Sequence, residues 1–255
     1  MDSASKVVFL SVAIPAYNEE ATIKKVIGDH ARVLETLSDR ISDWEIVCVD
    51  DASVDETPAI LRQLSEEIPS LRVVRHETNC GIYESFAHSF REARGTHIYQ
   101  TAADDQWPAA NLRKLLEAMG RGHCDLVIGV RTNRHQIYSA WRRLLSFSFN
   151  LIPLVFFRTK TLDANSIKLG RREIFTIPLI SKSFFGEIER LIEARRLGYR
   201  IGFCPIEFLP RGGGKASGAR WKNILTTFRD FGRYLFSKRL CSMEPKPKSG
   251  AELRK

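Results

Sequence analysis

The first 130 residues of the chain alternate between short apolar runs and longer amphipathic segments, and this alternation is the strongest constraint on the fold. The run VVFLSVAIPA at residues 7–16 is almost wholly apolar, as is typical of a strand buried on both faces of a parallel sheet. The next segment, residues 18–37, carries apolar side chains at helical spacing. The two patterns then recur, with strands predicted at 44–51, 71–77, 96–102 and 124–130 and helices at 53–67, 81–94 and 111–122. This order predicts an α/β fold with a mainly parallel sheet covered by helices.

Polar residues follow three of the predicted strands, at the point where each strand ends. The clusters are PAYNEE at 15–20, DDASVD at 50–55 and DDQ at 104–106. Because ligands of such sheets bind beyond the carboxyl ends of the strands, the three clusters predict one site at one edge. Helix capping is an alternative for two of them, since Asn18 can cap the first helix and Ser53 with Glu56 forms a capping-box pattern. Capping leaves Asp50 and Asp51 unexplained, and a carboxylate at this position can accept an N–H of a nucleobase.

The stretch TAADDQWP at residues 101–108 predicts a divalent metal site. Mg²⁺ and Mn²⁺ take carboxylate, amide and water oxygens, and they usually bind one or two carboxylates together with substrate phosphates. Asp104 and Gln106 alternate along the chain, so their side chains can point to the same side of an extended segment, whereas Asp105 points away. A solvated turn is the alternative for two adjacent acids, but the neighbouring polar clusters favour a metal.

The net charge of +9 is concentrated in two segments. Residues 131–160 contain six Arg or Lys and no acidic residue, and residues 211–240 contain eight against the single Asp230. Such segments are suited to phosphates, anionic lipids or nucleic acid. Nucleic-acid binding is excluded as the main interpretation, because no recognised nucleic-acid-binding motif is present and the acidic edge would have no role.

Both basic segments also carry bulky apolar side chains, a composition typical of helices that lie in a membrane interface. The apolar core from Leu144 to Phe157 is shorter than the roughly 20 residues that a spanning helix needs. The last predicted helix, from Trp221, has an apolar side that includes Phe228 and Leu235, and packing of this side on the domain core is the alternative to membrane contact. No signal peptide is expected, because the first apolar run lacks a basic leader.

The cysteines and histidines predict no further site. The five cysteines are widely spread and form no C-x-x-C pair, so that neither a disulfide framework nor a zinc site is expected, and a reducing, cytosolic setting is favoured. The six histidines show no metal-ligand spacing. The loop RGGGKASG combines basic residues with glycines that permit close approach to an anion, without the order of a phosphate-binding Walker loop.

The order of these motifs resembles that of the family 2 glycosyltransferases, and most of all the dolichol- and polyprenyl-phosphate sugar synthases. The resemblance covers residues 8–236 and is carried by IPAYNEE, VDDASVDET, NCG, ADDQWP, GVR, LDANSIKL, FGEIE and RGGGKASG. It implies the GT-A fold, a nucleotide-sugar-binding α/β sandwich, here with a C-terminal amphipathic helix. It also implies a divalent metal, Mg²⁺ or Mn²⁺, and transfer of a sugar with inversion.

The resemblance assigns roles to individual residues. The donor nucleotide would be bound by Pro15, Tyr17, Glu19, Asp50 or Asp51, Gly81, Ala103, Asp104 and Ser217. The metal would be bound by Asp104 and Gln106, with Asp105 as a further ligand, because Ala102 stands where the family's metal motif has its first Asp. The catalytic contacts to phosphates would come from Asp104, Arg131, Arg211 and Lys215.

The expected reaction is transfer from a UDP- or GDP-sugar to a polyprenyl or dolichyl phosphate on the cytoplasmic face of a membrane. The enzyme would bind this surface peripherally or through a membrane-protein subunit. A phosphate acceptor is already ionised, so it needs no strong general base. A soluble family 2 enzyme that modifies a sugar or protein hydroxyl would need one, and Asp163, Glu187 and Glu189 are the candidates. A nucleotide-sugar-binding homologue that lost catalysis with Ala102 is the remaining alternative.

The expected organisation is a single domain over residues 1–240, followed by a disordered polar tail at residues 241–255. Residues 1–130 would form the nucleotide-binding half, and residues 131–240 the half that faces the acceptor and the membrane. In that second half we expect a return to the sheet at 162–172, a helix at 185–198 and a strand at 200–210.

Overall fold

The computed structural model describes residues 8–133, 151, 153–210 and 221–237, and for residues 221–224 only the backbone. The strands are β1 (Val8–Ala16), β2 (Ile41–Asp50), β3 (Leu71–Arg75), β4 (His97–Gln100), β5 (Leu126–Arg131), β6 (Lys168–Arg171) and β7 (Ile201–Ile206). The helices are α1 (Ile23–Glu35), α2 (Thr57–Glu67), α3 (Ile82–Glu92), α4 (Asn111–Gly122), α5 (Arg172–Phe175), α6 (Phe185–Arg196) and α7 (Trp221–Leu235). Residues 153–157 are also helical.

The seven strands form one sheet in the order β3-β2-β1-β4-β6-β5-β7. Neighbouring strands are parallel except at β6, which runs antiparallel to both β4 and β5. The carboxyl ends of β2, β1 and β4 therefore lie side by side, with Ala16 paired to Asp50 and Ala13 paired to Gln100. Because β6 is reversed, its first residue, Lys168, lies at this same edge.

Helices cover both faces of the sheet, as the continuous apolar strands require. Along β1, Val12 and Ile14 pack with α1, α2 and α4 in one buried cluster. Ala13, between them, faces the second cluster, which contains side chains of α3, α5, α6 and α7. Burial of each valine, leucine, isoleucine or phenylalanine side chain in these clusters contributes about 1.5–3 kcal/mol. Both layers therefore stabilise the central strands.

The predicted fold class is confirmed, including the C-terminal helix from Trp221. The main difference is that β6 is antiparallel, which its short sequence, KLGR, does not reveal. The single domain over residues 1–240 remains a prediction, and the predicted tail at residues 241–255 lies outside the described residues.

Candidate functional site

The polar clusters after β1, β2 and β4 meet at one edge of the sheet. After β2, the backbone N–H of Asp51 donates to the carbonyl of Ala16 at 2.9 Å. After β4, the N–H of Thr101 donates to the carbonyl of Ala13 at 3.1 Å. These bonds extend the strand pairing into the segments that carry the predicted site residues.

The first two clusters bind each other, which makes the capping interpretations wrong. The helix α1 begins at Ile23, well after Asn18, whose Oδ1 instead accepts the N–H of Val54 at 2.9 Å. The hydroxyl of Ser53 accepts the N–H of Asn18 at 3.0 Å, and α2 begins only at Thr57. Asn18 lies in the left-handed backbone region, with φ of 54°, a conformation that asparagine tolerates better than most residues. These side chains therefore shape the edge rather than the helix ends.

Asp50 and Asp51 are both buried at the end of β2. The Oδ1 atom of Asp50 accepts the N–H of Ser53 at 3.0 Å, and its Oδ2 atom lies 3.4 Å from Nε of Arg75. Asp51 accepts the N–H groups of Cys80 and Gly81, each at 2.8 Å. Gly81 has a φ of 88°, a backbone conformation that glycine adopts readily and other residues rarely adopt.

The other residues predicted to bind the nucleotide lie along the same edge. Pro15 is buried near the end of β1, and Ala103 is buried in the segment after β4. Tyr17 is 47% exposed, so its ring can reach a ligand. The backbone N–H of Glu19 donates to the Thr57 hydroxyl at 2.9 Å, which ties this residue to the start of α2.

The predicted metal loop follows β4. Asp104 is buried, and its Oδ1 atom accepts the backbone N–H of Gln106 at 3.3 Å. Nε2 of Gln106 donates to the backbone carbonyl of Leu209 at 3.1 Å. The side-chain oxygen of Gln106, Oε1, is therefore the atom that can bind a metal. A carboxylate and an amide oxygen are ligands of the kind that Mg²⁺ and Mn²⁺ take, and these residues therefore fit the predicted ion.

Asp105 has a different partner. Its Oδ1 atom lies 2.7 Å from Nζ of Lys25 on α1, and its backbone is in the left-handed region, with φ of 55°. The hydrogen bond to Asp105, and next the hydrogen bond to Asp29, raise the pKa of the Lys25 ammonium. Ligation of a metal by Asp105 would require this ion pair to open. The contact counts against Asp105 as a ligand.

Gln106 and Trp107 connect the metal loop to the segment after β7. The N–H of Leu209 donates to the carbonyl of Gln106 at 2.9 Å, and the rings of Trp107 and Phe208 have centroids 4.6 Å apart. The guanidinium of Arg131 lies over both rings, 5.0 Å from the centroid of Phe208 and 5.4 Å from that of Trp107. The residues that lead into 211–220 are thus held beside the metal loop. The predicted Arg211, Lys215 and Ser217 lie outside the described residues.

Arg131 is held by Asp163 at this edge. Nε of Arg131 donates to Oδ2 of Asp163 at 2.7 Å, and Nη2 lies 2.5 Å from Oδ1, so the two planar groups pair by two parallel bonds. The side chains are only 9% and 1% exposed.

The other two candidate bases also have internal partners. Glu187 pairs with the fully buried Lys168, with 2.7 Å between Oε2 and Nζ. Burial by itself would raise the pKa of Glu187, but the charges of Lys168 and Arg190 outweigh it and hold the pKa below its usual value. Glu189 accepts the N–H groups of Ile180 and Ser181 at 2.7 and 2.9 Å. All three carboxylates are therefore committed to structural contacts.

The sequence profile described as glycosyl transferase family 2 matches residues 11–177, more than half of the chain. The chain belongs to glycosyl transferase family 2. The resemblance inferred from the motif order is confirmed.

This family 2 member is similar to two curated proteins over part of their length. It is 26% identical to glycosyltransferase AglD of Haloferax volcanii over 209 residues, which are 80% of the chain and 33% of that protein. It is 32% identical to the undecaprenyl-phosphate 4-deoxy-4-formamido-L-arabinose transferase of Pseudomonas syringae pv. syringae over 145 residues, which are 56% of the chain and 41% of that protein. The chain thus spans about a third to two fifths of the length of these relatives.

Two solved structures share the fold. Glucosyl-3-phosphoglycerate synthase of Mycobacterium tuberculosis, in complex with Mn²⁺, UDP and glucosyl-3-phosphoglycerate, superposes with a TM-score of 0.64 at 21% identity, over 91% of this chain and 81% of that one. The mannosyltransferase PcManGT of Pyrobaculum calidifontis, in complex with GDP-Man and Mn²⁺, gives a TM-score of 0.63 at 18% identity, over 90% of this chain and 66% of that one. These likenesses support the GT-A fold assigned from the sequence.

Sequence reasoning missed several residues at this family 2 site. Lys25 and Lys168 pair with acidic residues that are far away in the sequence, and Phe208 completes the aromatic contact with Arg131. A lysine in the first turn of an amphipathic helix looks like an ordinary exposed residue. Lys168 gave one usable signal, because it lies between Ile167 and Leu169 in a predicted strand, and a buried lysine needs a partner.

Proposed function

We propose that this chain transfers a sugar, with inversion, from a UDP- or GDP-sugar to a polyprenyl phosphate at a membrane surface. Three observations support the proposal: the polar edge that joins β1, β2 and β4, the internal commitment of the candidate bases, and an apolar, basic surface on α7. The second of these carries the choice of acceptor.

The donor would lie along the edge after β2, β1 and β4. Asp50 or Asp51 would accept an N–H of the base, and the exposed ring of Tyr17 would contact the nucleoside. The solved structures of similar fold contain UDP or GDP-Man, which supports a UDP- or GDP-linked donor.

The donor diphosphate would be held at the metal loop. Asp104 and Gln106 would bind Mg²⁺ or Mn²⁺, and both similar structures contain Mn²⁺. When bound, the ion stabilises negative charge on the departing diphosphate. Arg131, which lies near this loop across Trp107 and is oriented by Asp163, would contact the diphosphate. The basic residues Arg211 and Lys215 would add to this charge, because Gln106 holds the preceding residues next to the loop.

The contacts of the buried carboxylates support a phosphate acceptor. A hydroxyl acceptor must lose a proton as it attacks, so it requires a positioned base. The three carboxylates proposed for that role bind Arg131, Lys168 or backbone N–H groups, and the pKa of Glu187 is lowered, which weakens it as a base. A phosphate acceptor carries its negative oxygen into the reaction, attacks the anomeric carbon and displaces the nucleoside diphosphate without a base. The curated undecaprenyl-phosphate transferase supports an acceptor of this class.

The outer surface of α7 and of residues 153–157 fits a membrane interface. Phe156 packs edge-on against Phe231 of α7 at 5.2 Å, which places these helices together. Exposed apolar side chains on or next to these two helical segments are Leu151, Leu154, Val155, Phe156, Leu225, Phe228 and Phe236. Exposed basic side chains nearby are Arg158, Lys160, Arg229 and Arg233. The alternative to membrane contact, packing of this side on the domain core, is wrong for Phe228, because its ring is 59% exposed while Asp230 and Tyr234 are buried.

Apolar and basic residues in this arrangement suit peripheral binding to an anionic lipid surface. No helix among the described residues is long and apolar enough to cross a membrane. We place the enzyme on the cytoplasmic face, alone or with a membrane-protein subunit.

The decisive experiment measures release of nucleoside diphosphate from a panel of UDP- and GDP-sugars. The full chain is assayed in detergent with Mg²⁺ or Mn²⁺ and undecaprenyl phosphate, and in parallel with the corresponding polyprenol, which lacks only the phosphate. We expect one donor to be turned over with the phosphate and not with the alcohol. EDTA and Asp104→Ala should abolish release, whereas Asp39→Ala, which removes an exposed carboxylate at the opposite edge of the sheet, should not.

Other outcomes would select the alternatives. Transfer to a sugar or protein hydroxyl without lipid, lost in Glu187→Gln, would show a soluble family 2 enzyme with a general base. Donor binding detected by calorimetry, without turnover on any acceptor, would show that Ala102 marks a lost activity.

A further inference from the structure

A cavity of about 610 Å³ lies between α3, α6 and residues 176–184, which join α5 to α6. Its wall on α3 extends from Tyr83 to Arg91, which is about 12 Å at the rise of an α-helix. Gly81 lies at one end of this wall, beside the nucleotide edge. The other end is formed by Phe90, near the carboxyl end of α3, and by Arg190 on α6. The cavity therefore extends from the nucleotide edge into the layer of helices on one face of the sheet.

The side chain of Arg190 is held at this inner end of the cavity. Arg190 is only 5% exposed. Its guanidinium carbon lies 5.2 Å from the ring centroid of Phe90 and 5.9 Å from that of Phe175. Nη1 donates to the backbone carbonyls of Ile174, at 3.2 Å, and of Phe175. These contacts fix the position of the guanidinium.

One edge of this guanidinium has no partner in the part of the chain that the structure describes. Nε is buried without a hydrogen bond, and Nη2 makes none either. The carboxylates whose charges act on Arg190 have other contacts, because Glu187 pairs with Lys168 and Glu189 accepts two backbone N–H groups. Burial lowers the pKa of Arg190, and these two carboxylates offset only part of that effect. Since buried charges are normally paired, the unpaired edge indicates a ligand.

The unpaired edge has the geometry that binds an oxyanion. In Arg131 the same two atoms, Nε and Nη2, pair with the two carboxylate oxygens of Asp163. The parallel N–H groups of this edge match the spacing of two oxygens in a carboxylate or a phosphate. Ser181 lines the same cavity, is 8% exposed, and has a buried hydroxyl with no hydrogen-bond partner among the described residues. The cavity thus contains two buried donor groups that a ligand can satisfy.

Much of the remaining wall is apolar. It includes the side chains of Phe86, Ile177 and Leu179. A ligand that carries its charge on an apolar body would bury this body against these side chains while the charged group meets Arg190. Lys182, which is exposed at the cavity, favours the approach of anions over cations. The lining therefore selects an anion that is also partly apolar.

We propose that this cavity binds an organic anion, in which a carboxylate or phosphate pairs with Nε and Nη2 of Arg190 and an apolar body packs against Phe86. The hydroxyl of Ser181 would donate to the same ligand. The nine residues from Gly81 to Phe90 span about 13 Å at helical rise, so an anion held by Arg190 is not the acceptor phosphate that attacks at the metal loop. The site does not depend on the proposed sugar transfer.

The test is a calorimetric titration of the full chain with three probes that share one apolar body: octanoate, octyl phosphate and octanol. We expect octanoate or octyl phosphate to bind with a stoichiometry of one, and octanol to bind at least about tenfold more weakly, because it lacks the charge that Arg190 pairs with. The tighter of the two anions identifies the natural group as a carboxylate or a phosphate.

Variants place the bound anion in the cavity. Arg190→Met keeps the length of the side chain without its charge, and should lower the affinity for the anion about 10–100-fold while leaving that for octanol unchanged. Ser181→Ala should lower it about threefold to tenfold. Arg195→Met, which removes an exposed arginine from the same helix, is the matched control and should bind like the parent. Phe228→Ser should also bind like the parent, which excludes binding to the apolar face of α7.

Three results would overturn the proposal. They are the absence of binding of both anions to the parent, equal affinities for octanol and the anions, and unchanged affinity in Arg190→Met that is folded by circular dichroism. Because Arg190 also binds two backbone carbonyls, this variant can fail to fold. In that case Ser181→Ala decides, and unchanged affinity in that variant would equally refute the site.

Discussion

Asp163 binds Arg131 through two parallel hydrogen bonds, and both side chains are almost fully buried. A buried charge that loses its partner keeps its desolvation cost. We therefore expect Asp163→Asn to lower the free energy of unfolding by about 3–5 kcal/mol, as measured by urea denaturation. The matched control is Glu84→Gln, which breaks the exposed pair with Arg91 and should cost less than about 1 kcal/mol. Equal effects in both variants would show that Arg131 finds another partner.

The pair formed by Lys168 and Glu187 offers a second test, because Lys168 has no exposure at all. Lys168→Met should destabilise the protein by about 3 kcal/mol, since Glu187 then stays buried without its main partner. The double variant Lys168→Met/Glu187→Leu removes both charges and should be more stable than the single variant. A double variant as unstable as the sum of the two single changes would show that the ions are not energetically coupled.

Stability should depend on pH through His97, at the start of β4. Burial, and then the charge of Arg171, lower the pKa of His97 from 6.5 to about 4. The unfolded chain therefore binds the extra proton first, and stability should fall as pH drops from about 6.5 to about 4, by up to about 3 kcal/mol. His97→Gln should flatten this slope in denaturation curves, apart from the part due to His30, whose pKa is also lowered by burial. His123→Asn, at an exposed position, should leave the slope unchanged.

Ala102 offers a direct test of the metal loop. Ala102→Asp would add a carboxylate two residues before Asp104, and added ligand charge tightens the binding of hard cations. We expect affinity for Mn²⁺, measured by calorimetry in the presence of a nucleoside diphosphate, to rise on the order of tenfold. Ala102→Asn, which adds similar bulk without charge, is the control. An equal gain in both variants would point to an effect of packing rather than ligation.

Membrane binding should depend on the outer face of α7. Phe228→Ser and Phe236→Ser each remove an exposed aromatic ring and should reduce co-sedimentation with vesicles that contain anionic phospholipid. Leu197→Ser, which removes an exposed apolar side chain after α6, is the control and should bind like the parent. Binding to neutral vesicles should be weaker for all variants, because the basic residues then have no anionic partner. Binding that does not change in either phenylalanine variant would contradict the assigned surface.

Local sequence patterns were sufficient for the elements and for the edge that carries the site. The period of apolar residues identified β1, β2 and the helix α1 between them, and Asp104 and Gln106, predicted to bind a metal, do lie in the segment after β4 beside the two other polar clusters. Helix starts were less well predicted. Asn18 and Ser53 resemble caps in the sequence, but they bind each other's loops, which are 35 residues apart. A side chain that can cap a helix can also hydrogen-bond to a residue that lies close only in the folded protein.

The sequence by itself determined the α/β architecture and the family, because apolar periodicity and motif order are written along the chain. Only the tertiary structure decided which charges face each other: Asp105 with Lys25, Asp163 with Arg131, and Glu187 with Lys168. It also brought Asp51 into hydrogen-bonding contact with His76 and with the backbone N–H of Cys80, which lie 25 and 29 residues further along the chain. The physical reason is the same in each case. Electrostatic pairing and metal coordination act over a few ångströms in space, and the sheet sets those distances between residues that the sequence keeps apart.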